Sequence, residues 1–198
     1  MKTFKQYLAE ENQNVQCDIN GICKVIKGYE SAGNEKKILG VYKDSKKLDT
    51  IGHGHLVTPQ SEQIFKEVFA DEHKKDPNFG STVLRKGGRI TPEQADRLLA
   101  RDVTVRIPQV EKLVPNFKTY SPELQAQLTS EQFRGMLGKS PKAVKYLNAG
   151  QYAEAGKEFL DADDYRNSVK EKTGIAGRME ALSNAMISEP TRQKKPAK

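Results

Sequence analysis

VIKGYESAGNEKKILGVYKDSKKLDTIGHGHLVTP, residues 25–59, is the stretch whose reading decides the fold. Apolar residues Ile22, Val25, Ile26 and Tyr29 recur at helical spacing and lead into Glu30. Two short apolar runs, Leu39–Tyr42 and Thr50–Gly52, flank a polar link at residues 43–49, which is a hairpin pattern. One carboxylate, Glu30, closes the helix, and another, Asp44, sits where the hairpin turns. Cleaving a glycosidic bond needs two such groups. One is a protonated acid beside the leaving oxygen, and the other is a charged base or nucleophile across the sugar ring.

Upstream, Asp18 is placed to cap the helix, predicted over about residues 18–30, and Gly33 and Asn34 stop it. A carboxylate at the negative end of a helix dipole, backed by apolar packing, suits a proton donor. Residues 1–10, MKTFKQYLAE, form a separate amphipathic piece with Phe4, Tyr7 and Leu8 on one helical face.

Downstream, Ser61 is predicted to cap a helix carrying Ile64, Phe65, Val68 and Phe69, and residues 76–89 read as loop from their Pro and Gly content. The first lobe is thus small and mixed, over about residues 18–90. Thr91-Pro92-Glu93 starts a linking helix, which Pro108 is expected to limit, over about residues 92–107. Ser121-Pro122 starts another that runs to about Leu137. Ser140-Pro141 starts a third, and further helices are predicted over residues 152–160 and 175–187. Together these make a helical lobe over about residues 108–189. Residues 190–198 lack an apolar face and read as a disordered basic tail. The expected class is α+β, mostly helical, with a small β-hairpin lobe and a larger helical lobe.

The chain has 198 residues, is 36% hydrophobic and 30% charged, and carries a formal charge of +7. No apolar run approaches the roughly 20 residues of a membrane span. The N-terminus lacks the apolar core of a secretory signal, so the chain is expected to stay in the cytoplasm that makes it unless something releases it. A membrane partner is not expected, and a monomer is. The positive balance suits an anionic partner such as nucleic acid or a bacterial wall, although spread lysines serve solubility equally well. Cys17 and Cys23 read as two reduced thiols. No Cys/His cluster has zinc spacing, so neither a metal nor another cofactor is expected.

Glu30, Asp44, Thr50 and His55 are the candidate polar groups on the helix end and hairpin. A single acid among 26 is more simply a solvated loop residue. The Gly52-His53-Gly54-His55 run alters that balance, because its glycines allow close approach of a ligand or another backbone. His55 is expected to be structural and paired to a carboxylate, and His53 is expected to be exposed.

Tyr42-Lys43-Asp44 followed by Thr50-Ile51-Gly52-His53-Gly54-His55 resembles the T-even phage lysozymes, glycoside hydrolase family 24. Residues 90–95, Asp102-Val103, residues 147–152 and residues 177–180 resemble that family's linking helix and C-terminal lobe. The resemblance implies a muramidase acting on bacterial peptidoglycan, with catalytic acid Glu30, catalytic aspartate Asp44 and threonine Thr50. It also implies a structural His55–Asp102 pair and an arginine, Arg178, that approaches the acid across the cleft. The family usually has a shorter link between acid and aspartate. Glu35, nine residues before Asp44, matches that simpler spacing and stays open as the alternative acid. The apolar stripe favours Glu30, since a helix reaching Glu35 must cross Gly33 and Asn34. Residues 31–37 then read as an inserted loop.

The decapeptide 1–10 resembles the capsid-targeting peptide of internal head proteins in T-even-like phages. That resemblance implies a cut after Glu10 by a prohead protease, following Leu8-Ala9-Glu10, and a place in the virion. Phage DNA and head proteins would then be partners. The alternatives are an endolysin in the host cytoplasm, or a head protein that keeps the fold with weak or lost activity. Ile187-Ser188-Glu189 also fits the short cleavage motif.

Overall fold

The computed structural model describes residues 18–31 and 35–193. The readings of residues 1–10, of Glu10 and of Cys17 lie outside the described residues. The architecture is α+β and mostly helical, with one small antiparallel sheet. The chain forms two compact units: residues 30–102, and residues 18–29 with 103–193. Their borders fall inside two helices, α1 (Ile19–Ser31) and α6 (Pro92–Leu113).

α1 starts where the sequence puts it. The Asp18 carboxylate accepts from the Gly21 amide at 2.9 Å, satisfying one of the donors that a helix start leaves open. Ile22 and Ile26 are buried on its apolar stripe.

The first unit continues with α2 (Glu35–Ile38), where the sequence reads as an inserted loop. Bonds from the Gly52 amide to the Ile38 carbonyl at 2.7 Å and from the Ile90 amide to the Leu39 carbonyl at 2.8 Å anchor its end. The sheet follows: β1 (Tyr42–Lys43), β2 (Asp49–Ile51) and β3 (His55–Leu56), in that order. Tyr42 pairs with Thr50, and Ile51 with His55. β3 goes beyond the predicted hairpin, since Gly52 (φ 62°) and Gly54 (φ 92°) let the chain reverse a second time.

Three short helices cover the sheet: α3 (Ser61–Val68), α4 (Ala70–Lys75) and α5 (Phe79–Val83). Ser61 is the first helical residue and not the cap, because its hydroxyl is committed to Leu56, Thr58 and His55. α5 lies within residues 76–89, read as loop. Phe79 packs edge-on against Phe69, with 5.6 Å between ring centroids, and Val83 enters a core with Ile51, Phe65, Phe69 and Leu98. That burial outweighs the local Pro and Gly content.

α6 opens with a reciprocal cap: Thr91 Oγ1 accepts from the Gln94 amide at 3.2 Å, and Gln94 Oε1 accepts from the Thr91 amide at 2.8 Å. It runs through Pro108, contrary to the sequence expectation. An internal proline costs about 3 kcal/mol. Val103, Ile107 and Val110 are buried around it, at about 1.5–3 kcal/mol each, so packing prevails.

The second unit adds α7 (Pro122–Phe133), α8 (Pro141–Asn148), α9 (Tyr152–Leu160), α10 (Asp163–Glu171) and α11 (Gly174–Gln193). Ser121 Oγ accepts from the Leu124 amide at 3.3 Å, capping α7 as expected. α7 ends four residues early, with a 3₁₀ turn at Leu137–Lys139 after it. α10 is a polar helix that the apolar pattern does not signal. α11 runs through Pro190 to Gln193, so the predicted tail begins helical. The Glu189 carboxylate, fully buried, ties this end to Ser121 at 2.8 and 2.6 Å.

Candidate active site

The hairpin builds the centre of the candidate site. Asp44 Oδ1 accepts from the amides of Lys46 and Leu48, each at 2.8 Å. The turn thereby orients the half-buried carboxylate through one oxygen and leaves Oδ2 for other chemistry. Thr50, buried on β2, donates from Oγ1 to the Leu48 carbonyl at 3.3 Å. A hydroxyl whose proton is so directed offers its lone pairs elsewhere.

Tyr42 reports on both carboxylates. It precedes Asp44 by two positions, and its hydroxyl donates to the Gly52 carbonyl at 3.4 Å. Burial pushes its phenol up to about 12, and the negative charges of Glu30 and then Asp44 add to the shift. Glu30 is half-buried in the last turn of α1.

His53 and His55 are both buried. His55 Nδ1 is 2.7 Å from Asp102 Oδ2, and His55 Nε2 is 3.2 Å from Ser61 Oγ. Asp102 Oδ1 also accepts from Arg101 at 2.9 Å. His53, expected to be exposed, is buried at 4% exposure. Gly52 and Gly54 turn the chain on either side of it, and its Nε2 lies 2.9 Å from Asp96 Oδ1 on α6.

Arg178 belongs to the second unit and is also buried. It donates from Nε to Ser130 Oγ at 2.9 Å and from Nη2 to the Ser130 carbonyl at 2.7 Å. Its guanidinium lies 5.0 Å from the centroid of the Tyr29 ring. Tyr29 immediately precedes Glu30 and donates its own hydroxyl to Gln127 Oε1 at 3.3 Å. Glu35 opens α2.

The sequence assigns no role to Tyr42, Asp96 or the polar residues of α7, and gives Ser61 only that of a helix cap. For Tyr42 a signal existed: it stands two positions before Asp44 in the motif at residues 42–44. For Ser61, the capping pattern pointed to a different use of the same hydroxyl. Among the described residues, no three His, Cys, Asp or Glu side chains group as a metal site would require. No described helix is long and apolar enough to cross a membrane.

The protein is mostly helical, with a small antiparallel sheet whose hairpin holds Asp44 and Thr50. Comparison with family descriptions matches residues 32–181 to phage lysozyme, and the chain belongs to the phage lysozyme family. The family's activity is hydrolysis of peptidoglycan. The match spans Glu35, Asp44, Thr50, His55, Asp102 and Arg178, and begins two residues after Glu30. A comparison with curated proteins returns no match.

Proposed function

We propose that the protein is a muramidase that hydrolyses the β-1,4 bond between N-acetylmuramic acid and N-acetylglucosamine with inversion. The observation that carries this reading is the match of residues 32–181 to phage lysozyme, in a chain whose hairpin fixes Asp44 through Oδ1 and directs the Thr50 hydroxyl. Glu30, protonated, gives its proton to the glycosidic oxygen. Asp44 Oδ2 takes a proton from a water on the opposite sugar face, and that water's oxygen attacks the anomeric carbon. Thr50 Oγ1, whose proton points to Leu48, accepts the water's other hydrogen and aligns it. Inversion requires the two carboxyl groups to stand roughly 6.5–9.5 Å apart around that water. His55 and Asp102 hold β3 to α6 and take no part in proton transfer. Arg178 supports the acid.

One feature favours Glu30 over Glu35: α1 carries its apolar stripe as far as Glu30. The test is turnover of purified peptidoglycan by the wild type, Glu30→Gln and Glu35→Gln. We expect Glu30→Gln alone to be inactive. Loss in Glu35→Gln instead would move the acid to α2, and a wild type inactive on every wall preparation would remove the enzymatic reading.

On the strength of residues 1–10 we further propose a head-packaged enzyme, processed after Glu10. The competing motif ending at Glu189 lies inside α11 with its carboxylate buried, a poor substrate for a protease. The alternative of an endolysin differs only in where the chain accumulates.

A further inference from the structure

Glu131 is fully buried, yet it belongs to none of the groups assigned a role above. Gln127, Ser130 and Glu131 on α7 and Arg134 at its C-cap fall at i, i+3, i+4 and i+7, so they form a polar stripe on one face of a helix whose residues 124–131 are all buried. Arg134 donates to Glu131 Oε2 at 2.8 Å. Glu131 Oε1 makes no hydrogen bond among the described residues and faces Arg178 Nε at 3.7 Å. Burial pushes this carboxyl up, and Arg134 and Arg178 oppose that push. A buried ion pair is a poor source of stability, since apolar side chains of similar volume pack at lower cost. Fixed geometry is the more economical explanation for its presence.

That geometry leads to one place. Ser130 grips the Arg178 guanidinium with two hydrogen bonds, and Glu131 supplies the counter-charge beside it. The guanidinium lies over the Tyr29 ring, whose hydroxyl reaches Gln127 on the same stripe. Tyr29 is thus held at its ring and at its hydroxyl, and the next residue is Glu30.

We propose that Glu131 is a positioning residue for Glu30: it fixes Arg178 against the Tyr29 ring and so sets the last turn of α1, from which the acid projects. The inference rests on the muramidase reading for its catalytic consequence, but not for its structural one. The test compares Glu131→Gln with Glu189→Gln, which alters the other fully buried carboxylate of this unit at a place tied to Ser121. Two readouts are taken on the full chain: kcat and KM on peptidoglycan, and amide hydrogen exchange at Glu30 and Ser31.

Glu131→Gln is expected to lower kcat by about tenfold or more at unchanged KM, as small misplacement of a reacting group does, and to speed exchange at both amides. Glu189→Gln is expected to lower Tm while leaving kcat and those amides as in wild type. Tyr29→Leu, a half-buried position, removes the ring without exposing a buried charge, and should reproduce the Glu131→Gln effects even if that variant folds poorly. Equal kcat losses in the Glu131 and Glu189 variants would reduce Glu131 to a structural residue. Unchanged exchange in both Glu131→Gln and Tyr29→Leu would overturn the inference. If the wild type cleaves no wall, exchange alone decides: acceleration confined to the Glu131 and Tyr29 variants upholds the positioning role while the enzymatic reading fails.

Discussion

At the residue scale, the His55–Asp102 contact can be probed without touching the proposed chemistry. Both side chains are largely buried, at 7% and 12% exposure. Removing one member takes away a buried hydrogen-bond partner of the other, at a cost of about 1–3 kcal/mol. His55→Ala and Asp102→Ala should therefore each lower the urea midpoint substantially while the remaining folded fraction keeps its turnover. Unchanged midpoints would show that the pair contributes nothing. Tyr42 gives the pH dependence. Its folded-state value of about 12 lies above its ordinary 10.0, so the fold holds the proton more tightly than the unfolded chain does. Its contribution to stability is complete below pH 10 and is lost as pH rises through about 12. Among the seven tyrosines, Tyr42→Phe should remove a late phenolate step from the ultraviolet titration. Removal of a step near the ordinary value would contradict the burial and the two nearby acids.

At the scale of elements, the hairpin turn carries local strain. Lys47 has φ 63°, in the left-handed region, where an L side chain costs roughly 1–2 kcal/mol. Glycine relieves this but loses more freedom on folding, by about 0.5–1 kcal/mol. Lys47→Gly should thus be neutral or slightly more stable, whereas Lys47→Val, β-branched, should lose about 1 kcal/mol or more. Thermal unfolding of the two variants checks the order, and a Val variant as stable as the Gly one would show that the turn relaxes to negative φ. The helices were legible where a cap met an apolar stripe, as at Asp18, Thr91 and Ser121. They were misread where packing overruled a local signal. Pro108 and Pro190 do not stop their helices, and α5 forms in a stretch rich in breakers because Phe79 and Val83 find a core.

At the scale of the whole molecule, the family fixes the chemistry and residues 1–10 carry the question of delivery. The N-terminal sequence of this protein recovered from purified virions should begin at Glu11. Recovery of an intact Met1 would remove the processing step, and virions without the chain would make it an endolysin. Neither outcome would alter the assignment of Glu30 and Asp44, which the peptidoglycan assay tests separately.

The sequence by itself determined the α+β class, the bounds of α1, α8 and α9, the hairpin and the polar groups placed on it. These features depend on caps, on periodicity and on a motif confined to residues 42–55, all of which are local. Tertiary structure alone decided the burial of His53 on Asp96, the commitment of Ser61 to His55 and the stripe linking Glu131, Arg178 and Tyr29. Each of these joins residues from different elements, from six positions apart for Ser61 and His55 to 43 for His53 and Asp96 and 48 for Ser130 and Arg178, and no local pattern records which polar side chain will meet which. The cost of leaving a buried polar group unpaired enforces those meetings, and it acts only once the chain has closed around them.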